Sequence, residues 1–398
     1  MERREALITG VVLGVLCVVI AVVVAYGRAQ ESPLVADDEM ASDGGVADGG
    51  VADESLDEFA TFVDEAIAFV EATRGRRFVT EPRVVTLSEA TFVARIRADL
   101  SQELTEDPEG LVMLNATYRA MGLIGPDDSV DEVYGRFGEA GILGFYDPET
   151  DELVVRQRDE LSLLTKSTIV HELTHAFDDQ HFDLDRPEYD DRTDEVAWGF
   201  RAVAEGSASW VEAEWKATLS AAERDDLARE EFSFGDPGIF NQFELSFLLL
   251  ELSPYEYGEV FVEHLIDTGG NAALDEALED PPITSEQVIS PDRYDAEEGA
   301  IVVAPPPADG EIVYSGLGGQ VLIDSLFTGV GLILDFEWGG DQLVVWTADG
   351  RSCMRWDIQS EDGETYGVES AFGDWASRIG GADVSPLDER TVRVERCV

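Results

Sequence analysis

The sequence predicts an α+β fold, and the spacing of apolar residues along the chain is the basis of this prediction. Residues 56–73 and 192–216 have the periodicity of helices, and residues 163–178 form a third predicted helix. Residues 142–156 have the pattern of a β-hairpin. A second hairpin, with strands DQLVVWT and SCMRWDI, lies close to the C-terminus. The chain therefore combines a larger unit rich in helices with a small C-terminal α+β unit.

The first predicted element is one transmembrane helix, which makes residues 1–29 a membrane anchor. Residues 6–26 are 21 nearly uninterrupted apolar residues, enough to cross a hydrocarbon core of about 30 Å. Arg3 and Arg4 precede this segment, and mostly acidic residues follow it. The positive-inside rule then places the N-terminus in the cytoplasm and the rest of the chain outside the cell. The alternative is a cleaved signal peptide and a secreted protein, although Gly27–Ala29 is a poor cleavage site.

The segment after the anchor, residues 30–54, is predicted to be an acidic flexible linker. It repeats the unit GGVAD and contains few hydrophobic residues, a composition typical of a self-repelling tether. The main domain is predicted to span residues 55–304. Proline-rich stretches around residues 281–282 and 305–307 indicate a domain boundary near residue 305. Residues 305–398 then form the C-terminal α+β subdomain.

Further elements are predicted within these two units. A strand is expected at Arg83–Leu87 in the main domain. In the C-terminal unit the hairpin is followed by a short helix around residues 366–379 and by a last strand near residues 391–397. Cys353 and Cys397 lie on predicted strands, so a disulfide between them is expected in an oxidising compartment. Two buried free thiols are the alternative.

The charge of the chain is extremely unbalanced. Its 398 residues include 84 acidic and 27 basic ones, with a formal net charge of -57. This excludes nucleic acid as a partner and argues against anionic lipid headgroups as partners of the soluble part. A hydrophobic content of 44%, with seven Trp and 19 Phe, excludes a disordered acidic chain. The composition favours a folded, halophilic protein, because molar salt shortens the screening length to about 3 Å. We therefore expect structure to be lost at low salt.

One motif carries the chemistry of the chain. The segment VHELTHAFDDQH contains an H-E-x-x-H pattern formed by His171, Glu172 and His175. Residues four apart lie on one face of a helix, so both histidines can reach one metal ion. Glu172 lies about 100° round the helix, beside the metal, where it can hold and deprotonate a water. The pattern therefore predicts a Zn²⁺ site with Glu172 as the general base.

The third ligand of this site has more than one candidate. His181 stands at the last position of the metzincin spacing, but Asp178 replaces the glycine that lets the chain turn there. No methionine turn follows either. Glu205, in the stretch VAEGSA of the next predicted helix, lies 30 residues after His175 and is the favoured third ligand. Glu195 and Glu212 compete with it, but they lack its small neighbours, which let a helix pack against a metal site.

Other polar residues are predicted to support the metal ligands or the reaction. His181 and Asp179 are candidates for contacts behind the ligands. His264, Tyr255 and Tyr257 are candidates for stabilising a tetrahedral oxyanion, with ordinary packing as the alternative for each. The strand Glu152–Arg156 can be an edge that pairs with an extended peptide, or an ordinary strand within a sheet.

Five segments of the chain together resemble a known family. In chain order these are HELTHAFDDQHFDL, AEGSAS, SPYEYGEVFVEHLIDTGG, PPITSEQVISPDRY and EWGGDQLVVW. They resemble a family of haloarchaeal surface proteins and bacterial relatives that are regarded as gluzincin-type zinc metallopeptidases. The resemblance covers roughly residues 55–380. It implies a zincin-like metallopeptidase domain in which His171, His175 and Glu205 bind zinc and Glu172 is catalytic.

Two positions depart from the family pattern. The family usually has an acidic residue where Ser207 stands and a histidine where Ser290 stands. The favoured expectation is a membrane-anchored, outward-facing zinc endopeptidase that acts on peptides or proteins. The alternative is a non-catalytic cell-surface protein with a structural metal site. The intact Glu172 favours the enzyme, because a structural site has no use for a general base, whereas Ser207 favours the alternative.

Overall fold

The computed structural model describes residues 51–157, 160–186, 194–234, 242–361 and 365–398. The predicted anchor and nearly all of the predicted linker lie outside these residues. Within them, no helix is both long and apolar enough to span a bilayer.

The described part is an α+β structure with one small and one larger sheet. The elements before the metal-binding motif are α1 (Val51–Arg74), β1 (Arg83–Leu87), α2 (Glu89–Glu106), α3 (Pro108–Met121), α4 (Val130–Gly141), β2 (Gly144–Asp147) and β3 (Glu152–Arg156). The central helices are α5 (Leu163–Phe182), α6 (Asp194–Thr218), α7 (Ala221–Ser233), α8 (Leu245–Gly269), α9 (Asn271–Glu279), α10 (Ser285–Ile289) and α11 (Pro291–Asp295). The C-terminal elements are β4 (Glu311–Gly316), α12 (Gly319–Gly329), β5 (Trp338–Ala348), β6 (Arg351–Ser360), α13 (Thr365–Ile379), β7 (Ala382–Pro386) and β8 (Thr391–Cys397).

The small sheet has the strand order β1-β3-β2. Strand β3 pairs in parallel with β1 and antiparallel with β2, so it is the central strand. Of the two alternatives for Glu152–Arg156, the structure therefore shows the ordinary strand within a sheet, because strand β1, some 70 residues earlier in the chain, covers one of its sides. Strand β2 is an edge strand of this small sheet and lies next to helix α5.

Helix α5, which carries the H-E-x-x-H motif, is capped by Ser162, whose hydroxyl accepts a hydrogen bond from the N–H of Thr165 at 3.2 Å. The helix is buried along most of its length and continues to Phe182, four residues beyond the predicted end. It therefore runs straight through Asp178, where a metzincin chain would turn away. The turn comes at Asp183, which has a φ of 58°, a conformation that aspartate tolerates better than most residues.

Helices α6 and α8 run side by side in the same direction. Trp198 donates its ring N–H to the hydroxyl of Ser253, and further along both helices the backbones meet at Gly206 and Gly258. A Cβ at either glycine would collide with a carbonyl group of the other helix. The small residues around Glu205 therefore allow a close approach between α6 and α8.

The larger sheet is antiparallel, with the order β4-β5-β6-β8-β7. Its apolar face joins the main hydrophobic cluster, which includes Phe137 and Phe247 as well as Leu343, Trp356 and Phe372. Residues on both sides of position 305 thus contribute to one core. An independent subdomain beginning there stays a prediction.

The predicted disulfide between Cys353 and Cys397 is present in the structure. The two residues are directly opposite each other on the neighbouring strands β6 and β8, with their Cα atoms 4.1 Å apart. The bridge therefore ties the last strand of the chain to the centre of the larger sheet.

Replacing both cysteines by serine is expected to lower the free energy of unfolding by about 3–4 kcal/mol, according to the loop-entropy model. The physical reason is that the bridge closes a loop with a sequence separation of 44 residues, which restricts the unfolded chain. Urea unfolding of the variant and of the wild type in the same buffer measures the difference. Reduced wild-type protein is the control and should match the variant, whereas equal stability of all three proteins would contradict the expectation.

Candidate metal centre

The three favoured metal ligands lie together in the interior. His171 and His175 project from α5, and Glu205 projects from α6. One potential ligand atom from each residue lies within 4.8 Å of the other two. Glu205 Oε2 is 3.2 Å from Nε2 of His171 and 3.2 Å from Nε2 of His175. All three side chains are at most 2% exposed, so the group is a buried His–His–Glu cluster that can hold a metal ion.

His175 tests whether the cluster fits a metal ion. Within the described residues, neither of its buried ring nitrogens has a hydrogen-bond partner. Nε2 is close to Glu205, but the pair does not have hydrogen-bonding geometry. A buried imidazole nitrogen without a partner is unfavourable. A metal ion bound by Nε2 would satisfy that nitrogen, so the donor set fits a metal ion.

Glu172 is fully buried on the side of α5 that faces the small sheet. Its Oε2 accepts a hydrogen bond from the backbone N–H of Tyr146 in β2 at 2.8 Å. Gly144 makes room for this arrangement, because a Cβ there would lie 3.1 Å from a methyl group of Thr168 and 3.7 Å from Glu172. Strand β2 thus holds the carboxylate of Glu172 beside the two histidines.

Glu212 has a contact with the cluster that the sequence did not predict. It was considered only as a competing metal ligand, but its Oε2 lies 3.1 Å from Nδ1 of His171, on the side of the ring away from Glu205. Its Oε1 accepts hydrogen bonds from Ser167 at 2.5 Å and Lys216 at 2.8 Å. A carboxylate in this position fixes the ring and the tautomer of a metal-binding histidine. The sequence feature that could have indicated this contact is the position of Glu212 two helical turns after Glu205, which puts both residues on the same face of α6.

The electrostatics of the cluster follow from these contacts. Burial by itself would raise the pKa of Glu212, but Lys216 and the hydrogen bond with His171 outweigh it and lower the pKa to about 2. Burial would also raise the pKa of Glu205, yet the two histidines lower it. Both glutamates are therefore ionised at neutral pH, as a cation site requires.

Tyr255, a candidate for stabilising an oxyanion, lies at the centre, and its hydroxyl is engaged by Glu205. The hydroxyl donates a hydrogen bond to Glu205 Oε1 at 2.9 Å. The ring stacks on His171, with the centroids 6.0 Å apart and an angle of 24° between the planes. Tyr255 therefore orients one ligand and packs against another.

The structure places His181 and Asp179 away from the ligand atoms. His181 Nε2 lies 3.0 Å from the backbone oxygen of Arg77, and its ring packs against Phe177. Asp179 accepts hydrogen bonds from the hydroxyl of Tyr146 at 2.7 Å and from the N–H of Leu184 at 2.8 Å. Asp179 consequently reaches the centre only through Tyr146, the residue whose N–H binds Glu172.

Three further candidates lie elsewhere. His264 pairs with Asp295 at 3.0 Å near the surface, nine residues and hence about 13 Å along α8 from Tyr255. Tyr257 packs against Trp198. Glu195 is buried but accepts hydrogen bonds from the backbone N–H and the hydroxyl of Ser285. The structure does not bring these side chains into the cluster.

Ser207 has a definite partner in the interior of the structure. Its hydroxyl donates a hydrogen bond to Asp178 Oδ2 at 2.6 Å, and both residues are completely buried. The other oxygen of Asp178 accepts a hydrogen bond from the buried Arg74 at 2.9 Å. An acidic residue at position 207 would put a second carboxylate against Asp178. The serine instead links α6 to α5 one turn beyond His175.

The chain was compared with protein-family models, with curated proteins and with solved structures, and none of them matches it. The interpretation of the metal centre therefore rests on its geometry and on its motif.

Proposed function

We propose that this protein is a zinc metallopeptidase of the H-E-x-x-H…E type with a zincin-like catalytic domain. The observation that carries the proposal is the buried cluster of His171, His175 and Glu205 with Glu172 beside it. The arrangement provides three metal ligands and one buried carboxylate that is not a ligand. A hydrolytic zinc site needs both, because a water must occupy the remaining position and a base must take its proton.

Zinc is the metal that this donor set favours. Two imidazole nitrogens and one carboxylate oxygen suit Zn²⁺, whereas Mg²⁺ and Ca²⁺ prefer sites made only of oxygen atoms. When bound, the zinc ion would polarise the scissile carbonyl group and lower the pKa of water. Glu212 would keep His171 in the tautomer that binds the metal through Nε2.

Glu172 would act as the general base of peptide hydrolysis. The hydrogen bond from Tyr146 fixes one of its oxygens, so the carboxylate has a defined orientation. It would take the proton of the attacking water and pass it to the nitrogen of the leaving amine. No residue is assigned to the oxyanion, because the hydroxyl of Tyr255 is engaged with Glu205.

The edge strand β2 supports a peptide as substrate. The backbone N–H of Arg156 in β3 donates a hydrogen bond to the backbone oxygen of Leu143. In an antiparallel pair of strands, residue pairs that hydrogen-bond to each other alternate with residue pairs that do not, and β2 and β3 follow this pattern from Leu143 onwards. The backbone groups of Gly144 and Tyr146 therefore point away from β3, towards Glu172. An extended peptide adding to this edge would pass the general base.

The proposed location is the outer face of the cell membrane, with the apolar N-terminal segment as a single anchor. The disulfide supports an oxidising compartment, since such bridges are rare in the cytosol. A secreted protein released by signal cleavage is the alternative location.

Zinc analysis together with a hydrolysis assay tests the proposed function. We expect about one zinc per chain and cleavage of an unstructured protein, such as denatured casein, in a series of salt concentrations up to molar. A chelator should stop the cleavage, and added zinc should restore it. Bound zinc without cleavage at any salt concentration would overturn the proposal and favour a non-catalytic surface protein with a structural metal site.

Zinc binding at about pH 8 should release about one proton, because only the neutral imidazole binds the metal. Burial alone lowers the pKa of His171, but hydrogen bonds with Glu205 and Glu212 raise it to about 10 in the metal-free protein. The ring is therefore protonated at this pH and must lose its proton. Calorimetric titration in buffers of different ionisation enthalpy counts the protons. The Glu212→Gln variant should release fewer protons on zinc binding than the wild type. A wild type that releases no proton on zinc binding would contradict the expectation.

A further inference from the structure

A second polar cluster adjoins the metal centre between helices α6 and α8. Because the helices run in the same direction and Tyr255 touches Glu205, the residues one turn earlier on each helix face each other as well. These residues are Arg201 on α6 and Glu251 on α8. Arg201 thus lies about 6 Å along the helix axis from the metal ligand Glu205, on the same face.

The hydrogen bonding of this second cluster is incomplete. Glu251 is 4% exposed, and its Oε1 accepts hydrogen bonds from the hydroxyls of Tyr134 at 2.7 Å and Tyr118 at 3.3 Å. Its Oε2 has no partner among the described residues. The buried Nε of Arg201 has none there either. A buried acceptor and a buried donor are therefore both unsatisfied at the same end of the metal centre.

Arg201 has no ion-pair partner among the described residues. The chain has about three acidic residues for each basic one, so carboxylates are abundant, but none of the described ones forms an ion pair with Arg201. Burial lowers the pKa of Arg201, but the charge of Glu251 outweighs this and raises it, so the guanidinium group stays charged. The side chain is only half-buried, which leaves it accessible to a ligand.

We propose that Arg201 binds a carboxylate group of the substrate next to the metal centre. The planar guanidinium group is the side chain best suited to hold a carboxylate through two hydrogen bonds. The local charges favour such a ligand, because a metal cation would lie beyond Glu205 and the negative charge of Glu251 is partly offset by two tyrosine hydroxyls. The unsatisfied Oε2 of Glu251 would accept an N–H of the same ligand.

This inference rests on the proposed function and names its substrate class, which is peptides that present a carboxylate close to the scissile bond. The carboxylate can be the free C-terminus of the peptide or the side chain of an aspartate or glutamate. A purely structural Arg201 would stabilise the contact between α6 and α8 but would not distinguish peptides by their carboxylates.

The test measures binding in the zinc-loaded full chain with Glu172→Gln, so that no peptide is cleaved. Three fluorescent tetrapeptide mixtures serve as probes. The first lacks acidic residues and has free C-termini, the second is the same mixture with amidated C-termini, and the third is amidated but contains acidic residues. We expect one of the carboxylate-bearing mixtures to bind about 10-fold or more tightly than the second. The mixture that does so identifies the source of the carboxylate.

Arg201→Gln should bring the ratio of the two affinities, with and without a carboxylate on the peptide, close to one without loss of zinc. Arg201→Lys should lower this ratio only partly, because lysine keeps the positive charge but lacks the planar pair of N–H donors. Arg229→Gln, on the exposed helix α7, is the matched control and should keep the ratio. If Arg201→Gln does not fold, the lysine variant decides. The absence of a carboxylate preference in the Glu172→Gln protein, or a ratio unchanged by both substitutions, would overturn the inference. A ratio that depends on Arg201 in a protein whose wild type cleaves nothing would uphold the subsite and refute the peptidase.

Discussion

Replacing Glu172 by glutamine is expected to lower the turnover number by about 100-fold or more while leaving the zinc content unchanged. Glutamine has nearly the same shape, and its side-chain oxygen can still accept the hydrogen bond from Tyr146 that now holds the carboxylate. It cannot take a proton from water at neutral pH. The variant should therefore fold and bind zinc but lack the general base.

The measurements for this variant are the turnover number, the zinc content and the melting temperature in one buffer. Glu256→Gln is a suitable control, because it makes the same chemical change at an exposed position on α8. Unchanged turnover in Glu172→Gln would show that Glu172 is not the base. Loss of zinc would instead show that this carboxylate supports the metal centre.

Replacing Glu205 by alanine is expected to weaken zinc binding by more than about 100-fold. Losing a residue that merely orients a ligand costs about 10- to 100-fold in metal affinity, and a ligand contributes more than such a residue. Glu205 Oε2 is equally close to both histidines, and its other oxygen is held by Tyr255. Without it, a metal ion would have two protein ligands in a buried space.

His181→Ala is the control that distinguishes the two candidate third ligands. His181 contacts the backbone of Arg77 and the ring of Phe177, so its loss should leave the zinc affinity unchanged. Affinities measured by competition with a chelator of known strength are compared for the two variants and the wild type. Zinc lost with His181→Ala and kept with Glu205→Ala would reverse the assignment and make the centre metzincin-like.

Much of the metal centre was predictable because it depends on short-range geometry. Two histidines four residues apart share a face of any helix, whatever packs around that helix. The choice of Glu205 was also possible, because its small neighbours indicate a close helix contact, and the structure shows that contact at Gly206. The helix boundaries were predicted to within a few residues for α5 and α6.

The sequence left open whether the strand Glu152–Arg156 is an edge or an ordinary strand of a sheet, and the reason lies far away in the chain. Whether a strand lies at the edge or in the centre of a sheet depends on which other strands pair with it. Strand β1, which covers one side of β3, is separated from it by three helices and the strand β2. The pattern of residues within β3 does not show that partner.

The sequence by itself determined the side chains of the candidate centre, which are two imidazoles on one helix face, a glutamate next to the first of them and a glutamate on the following helix, because residue type and helical spacing are local properties. Only the tertiary structure decided which side chains surround them. Glu212 lies beside the far nitrogen of His171, Ser207 donates a hydrogen bond to Asp178, and Arg201 lies close enough to Glu251 to feel its charge. The residues of each pair are at least 29 positions apart in the chain. Their proximity depends on how two helices are aligned, and this alignment is set by the packing of the buried helix faces.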